Sequence, residues 1–168
     1  MSDPELIADL GTLRDDADGR RAVAMTRTYP VSPAQLWAAI TEPEQLARWF
    51  GQVDGDVREG GAFRVTFQGG AVTPMTLQRC AAPRELEVAW TFPAEPDSVL
   101  HVTVSDAEGG AEIVLDHRLL PYDQAVGYAA GWHTYLDRLE DVLAGGSARN
   151  WDDRFAEVLQ TYRGVAMR

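Results

Sequence analysis

Along the chain, apolar residues recur either every second position or every three to four, and the changes of period mark the elements. Leu10 to Arg14 and Ala22 to Tyr29 are extendable runs. The polar insert Asp15-Asp16-Ala17-Asp18-Gly19 between them predicts a β-hairpin. Ser32-Pro33-Ala34-Gln35 combines a capping serine, a proline suited to the first helical position and a glutamine three residues after the cap, which predicts a helix opened by a capping box. Leu36, Trp37 and Ile40 give that helix one apolar stripe. Thr41-Glu42-Pro43-Glu44 stops it and offers a second capping box, for a short helix carrying Leu46, Trp49 and Phe50.

From Ala62 to Leu119 the period is two. Phe63, Val65 and Phe67 alternate with Arg64, Thr66 and Gln68; Leu86, Val88, Trp90 and Phe92 with Glu87, Ala89 and Thr91. Leu100, Val102 and Val104 follow the same rule, as do Ile113, Leu115 and His117, while Met75 and Leu77 indicate one more strand. Glycine pairs at 60–61, 69–70 and 109–110 supply turns, so the sheet is expected to be mostly antiparallel, with one face buried and one wet. Beyond Pro121 the helical period returns: Ala125, Ala129, Trp132, Leu136, Leu139 and Leu143 fall within a narrow arc, and Gly145-Gly146 ends the helix. Asn150 then caps a last helix striped by Trp151, Phe155, Val158, Leu159 and Tyr162.

The large apolar surfaces are one sheet face and one helix stripe, which must bury each other in an α+β domain. A twisted sheet wrapped around a single helix leaves a gap at its middle. The expected walls of that gap are Phe63, Val65, Leu86, Val88, Trp90, Val102, Leu115 and Trp132; a fully packed core is the alternative. The expected organisation is one domain over 1–146 and a C-terminal helical extension, 147–168, packed on it.

The 168 residues include 15 basic residues, all arginine, against 26 acidic ones, a formal charge of −11. That balance argues against nucleic acid, whose phosphates call for a basic patch, and the arginine usage reads as the mark of a GC-rich bacterial genome. Met1 to Asp9 lacks the basic start and apolar run of a secretory signal, no run approaches a membrane span, and Cys80 stands alone, so a cytoplasmic setting is expected.

Candidate chemistry is sparse. His101, His117 and His133 share no metal-ligand spacing, and the nucleophile elbow, phosphate loop and dinucleotide fingerprint are absent, so no metal, cofactor or catalytic set is expected. His117 continues the inward series Ile113, Leu115, where an unpartnered polar group costs a few kcal/mol. It is read either as a core histidine bonded to a backbone carbonyl or tyrosine, or as a polar anchor or acid-base group for a ligand. Tyr135, on the flank of the long helix beside Trp132, is a candidate ligand contact, with Tyr128 a weaker one.

The block from Ser32 to Phe50, Ser32-Pro33-Ala34-Gln35-Leu36-Trp37 through Thr41-Glu42-Pro43-Glu44 to Arg48-Trp49-Phe50, resembles the opening signature of the START-like (SRPBCC) superfamily, in the AHSA1-like branch named after the activator of Hsp90 ATPase. Pro83-Arg84-Glu85-Leu86 with Trp90, Ile113 to His117 before Leu120-Pro121, and Gly131-Trp132 before Leu136 and Leu139 resemble later blocks. The resemblance implies a helix-grip fold, a curved antiparallel sheet around a long C-terminal helix, with a cavity that in relatives binds lipids, hormones or polyketides. It therefore implies a small hydrophobic or aromatic ligand. The alternatives are a polyketide cyclase/aromatase-like enzyme using the same cavity, and an Hsp90 co-chaperone-like interaction module. The last is weakened by the expectation that this chain has no room for the extra N-terminal domain of the eukaryotic activators. A homodimer through the terminal stripe around Trp151 is a further option.

Overall fold

The structure, a computed structural model, describes residues 7–166. Ser2-Asp3-Pro4-Glu5, part of the segment read for targeting, and the last two positions of the C-terminal extension lie outside the described residues.

Strands β1 (Thr12–Asp15) and β2 (Arg21–Tyr29) form the opening hairpin, with Thr12 opposite Ala24. Asp16 ends the first arm by accepting hydrogen bonds from the N–H groups of Ala17 and Leu119. Helix α1 (Pro33–Thr41) starts on the capping box: Ser32 Oγ accepts from Gln35 N–H at 3.1 Å and Gln35 Oε1 from Ser32 N–H at 3.0 Å. The second capping box does not form. Thr41 is the last residue of α1, its hydroxyl donating to the Trp37 carbonyl, and Glu42 alone separates the helices, capping α2 (Pro43–Trp49) without a side-chain bond. Because α1 runs to within two residues of Pro43, Thr41 is used up inside a helix and is not free to cap one.

The remaining strands are β3 (Gln52–Gly55), β4 (Ala62–Thr66), β5 (Val72–Ala81), β6 (Glu85–Trp90), β7 (Ser98–Ala107) and β8 (Gly110–Leu120). All pairs are antiparallel, and the order across the sheet is β1-β2-β8-β7-β6-β5-β4-β3. β3 had no sequence signal beyond Val53, because a four-residue edge strand is too short to show a period. In the central strands the alternation is realised directly: Leu86, Val102 and Leu115 lie side by side in register and are all buried. The turn between β7 and β8 requires glycine, since a Cβ on Gly110 would stand 1.9 Å from the Tyr29 carbonyl oxygen.

Helix α3 (Ala125–Leu143) crosses the inner face of the curved sheet and stops where Gly145 takes a positive φ. Helix α4 (Trp151–Ala166) begins on an Asn150 Oδ1 cap to Asp153 N–H and packs back along α3, burying Val158 and Tyr162. α3 is thus buried on two sides, and the second side is polar. His133 and Asp137, one turn apart, are covered by β2 and α4, and His133 is fully enclosed.

Candidate functional site

The inner sheet face and α3 leave between them a recess of about 310 Å³. Phe63 and Val65 from β4, Leu86, Val88 and Trp90 from β6, Val102 from β7, Leu115 from β8 and Trp132 from α3 all line it, joined by Met75, Leu77, Leu100, Ile113 and Leu136. Alternation along each strand delivers these side chains to one face, and Trp132 and Leu136, one turn apart, come from the facing side of the helix. Among the described residues no charged side chain lines the space. Thr41 and Cys80 are its hydroxyl and thiol, and the Thr41 hydroxyl is already bonded to Trp37. The half-buried Trp37, Ile40, Val53, Val57 and Cys80 mark its rim, on the side of α1 and β3.

His117 and Tyr135 are not among the lining residues. His117 lies fully buried behind the wall, with Nε2 2.8 Å from Ser98 Oγ and Nδ1 accepting from the Trp132 indole N–H at 3.0 Å. An indole N–H only donates, so Nδ1 carries no proton and the ring is the neutral Nε2–H tautomer, donating to Ser98. Burial drives its pKa down to about 3, in agreement with a neutral ring. The partners differ from the carbonyl or tyrosine expected. Ser98 opens β7 after a loop, and an indole donor from a helix fifteen residues on leaves no local trace in the sequence.

At the far end, Phe50, Phe67, Trp90, Trp132 and Tyr135 meet ring to ring. Phe50 stacks on Trp132 at 5.7 Å and 11°, and meets Phe67 and Tyr135 edge-on at 5.3 and 5.0 Å. Beyond this cluster a second, outer groove of about 300 Å³ opens between β6, α3 and α4, and Tyr128 and Tyr135 stand in it. Trp90 and Trp132 line both spaces and form the partition. Trp49 ties α2 to α1, its buried indole N–H donating to the Ala39 carbonyl at 2.9 Å.

On the opposite side of α3, the buried Asp137 carboxylate receives Arg27 from β2 at 2.8 Å and Arg154 from α4 at 2.7 Å. Those hydrogen bonds hold its pKa below the ordinary value against the upward pull of burial. Tyr162 of α4 accepts from Gly11 N–H and reaches His133 Nδ1 at 2.9 Å. Burial foremost, then Arg27, brings the His133 pKa down to about 4. Arg27 escaped the sequence reading, although it occupies an inward position between Met25 and Tyr29. Among the described residues no cluster of three or more His, Cys, Asp or Glu is placed to hold a metal ion, and no helix is long and apolar enough to cross a membrane.

An eight-stranded curved antiparallel sheet around a long C-terminal helix, with short helices near the start, is the helix-grip α+β architecture of the START-like class. Within that class the chain belongs to the family described as Activator of Hsp90 ATPase homolog 1-like protein, whose model matches residues 30–144. The chain is similar to CalU16 from Micromonospora echinospora, at 27% identity over 96% of this chain and 100% of that one, with a TM-score of 0.78. DynU16, a protein in the dynemicin biosynthetic locus, shares the fold at 22% identity over 77% of this chain and 49% of its own, with a TM-score of 0.71. So does the AHSA1 protein from Silicibacter pomeroyi, at 20% identity over 73% and 97%, with a TM-score of 0.63. No curated protein matches the chain.

Proposed function

We propose that this protein binds one small apolar or aromatic molecule in the inner recess, held by Phe63, Val65, Leu86, Val88, Val102 and Leu115 from the sheet and by the faces of Trp90 and Trp132. The observation that carries the reading is the recess itself, about 310 Å³ and lined, among the described residues, mainly by apolar side chains and by no charged one. Protein interiors normally pack to crystal density, and wall atoms facing a void forfeit dispersion contacts that a guest restores. An apolar space of roughly 150 Å³ stays dry and takes benzene, so this one has room for two fused rings. His117 serves the site from behind: by accepting the Trp132 N–H it fixes that indole as a wall, and the proton it keeps on Nε2 is committed to Ser98. Both nitrogens are engaged inside the protein, which favours binding over acid-base catalysis by His117. Tyr135 belongs to the outer groove and meets a guest only where the guest extends past the tryptophan partition.

The test is a panel of one-, two- and three-ring neutral aromatics followed by thermal unfolding and native mass spectrometry. A two-ring guest at a hundred times its Kd is expected to add about 2.7 kcal/mol, a rise of roughly 5–10 °C at this chain length, and to give a one-to-one complex. A flat response across the panel, with no bound compound carried through purification, would contradict the reading.

A further inference from the structure

The outer groove has a different chemistry from the recess, and it selects a different partner. Its walls are aromatic faces: Trp90 and Trp132 at the partition, Tyr128 and Tyr135 from α3, and Trp151 from α4, with Tyr135 5.8 Å from Trp151 and Trp90 6.2 Å from Tyr128 between ring centroids. Among the described residues the charged side chain lining it is Glu95, in the turn between β6 and β7, and no arginine lines it. Glu95 is held in place. Trp90 Nε1–H donates to Tyr128 Oη at 3.2 Å, and the Tyr128 hydroxyl donates to Glu95 Oε1 at 2.6 Å, so the carboxylate is fixed at the groove through a side chain that is itself a wall. Among the described residues Glu95 makes no ion pair.

Aromatic faces carry negative potential and attract cations placed over them, a carboxylate adds to it, and the whole molecule bears a formal charge of −11. We infer that the groove is a binding site for a small organic cation, a quaternary ammonium or alkylated amine, seated between Trp151, Tyr135 and Tyr128 with its charge toward Glu95. An inorganic ion would forfeit its hydration against such walls; an alkylated ammonium is weakly hydrated and presents methyl groups that the rings cover.

Choline and its neutral isostere 3,3-dimethylbutan-1-ol differ in one atom, nitrogen for carbon, and separate charge from shape. Titrations of the full chain, followed by the indole N–H resonances, are expected to show choline binding at least fivefold tighter than the alcohol. Trp151 should shift, and Trp37 and Trp49, which line only the inner recess, should stay still. Glu95→Gln, a surface-turn substitution of equal size, should weaken choline at least fivefold while leaving a neutral aromatic in the recess bound as before. Equal affinity for choline and the alcohol would overturn the proposal, as would wild-type choline affinity in Glu95→Gln or movement of Trp37 and Trp49 without Trp151. Because the recess is read by neutral aromatics and the groove by the cation, either site can fail without the other.

Discussion

Ser98, His117 and Trp132 form a closed chain of donors and acceptors in which each buried polar atom has one partner, and removing a member strands the next. Trp132→Phe leaves His117 Nδ1 buried without its donor, and an unsatisfied buried group costs about 1–3 kcal/mol; denaturant unfolding should show a loss of that size. The two buried histidines also set an acid limit. Their folded pKa values, about 3 for His117 and about 4 for His133, lie below the ordinary 6.5. The unfolded chain therefore takes up protons first as the pH falls. Stability is complete above about pH 6.5 and declines down to the folded values, by up to about 1.4 kcal/mol per pH unit for each histidine. The urea midpoint should drop clearly between pH 7 and pH 5, and an unchanged midpoint over that interval would contradict the neutral, buried state of these rings. The inward direction of His117 was legible because it continues the period-two series from Ile113. Its partners were not, because hydrogen bonds across a sheet-helix interface depend on distances that local spacing does not encode.

At the scale of elements, helix starts and strand faces could be read wherever one physical rule acted alone. The Ser32 box is such a case, and Ser32→Ala should cost about 1 kcal/mol by thermal unfolding. The second box failed because two rules competed for Thr41. The rear face of α3 is the larger omission: by spacing His133 falls at the edge of the apolar stripe and Asp137 beyond it, and only the return of α4 with Arg154 and the inward Arg27 makes that side interior. Asp137→Ala leaves Arg27 buried and unpaired and is expected to cost about 3–5 kcal/mol. Arg154→Ala, at a partly exposed position, should cost about 1 kcal/mol or less. Similar losses from both substitutions, measured by denaturant unfolding, would mean that Asp137 is solvated and that α4 does not seal this side.

For the molecule as a whole, an eight-stranded sheet gripping one helix encloses more volume than that helix fills, and the strand residues that line the space left over are those whose alternation points them inward. The wall was legible for that reason. The rim at Trp37, Val53 and Cys80, and the split into an inner recess and an outer aromatic groove, depend on where α1, α2 and α4 settle and so lay beyond any local pattern. Val102 stands at the centre of the wall, between Leu86 and Leu115 in register. The most direct test is calorimetric titration of a two-ring neutral aromatic into the wild-type chain and into Val102→Phe, whose added ring occupies the space. The account predicts one-to-one binding to the wild type and at least a tenfold loss in a folded Val102→Phe. Equal affinity in the two proteins, or no heat in either, would contradict it.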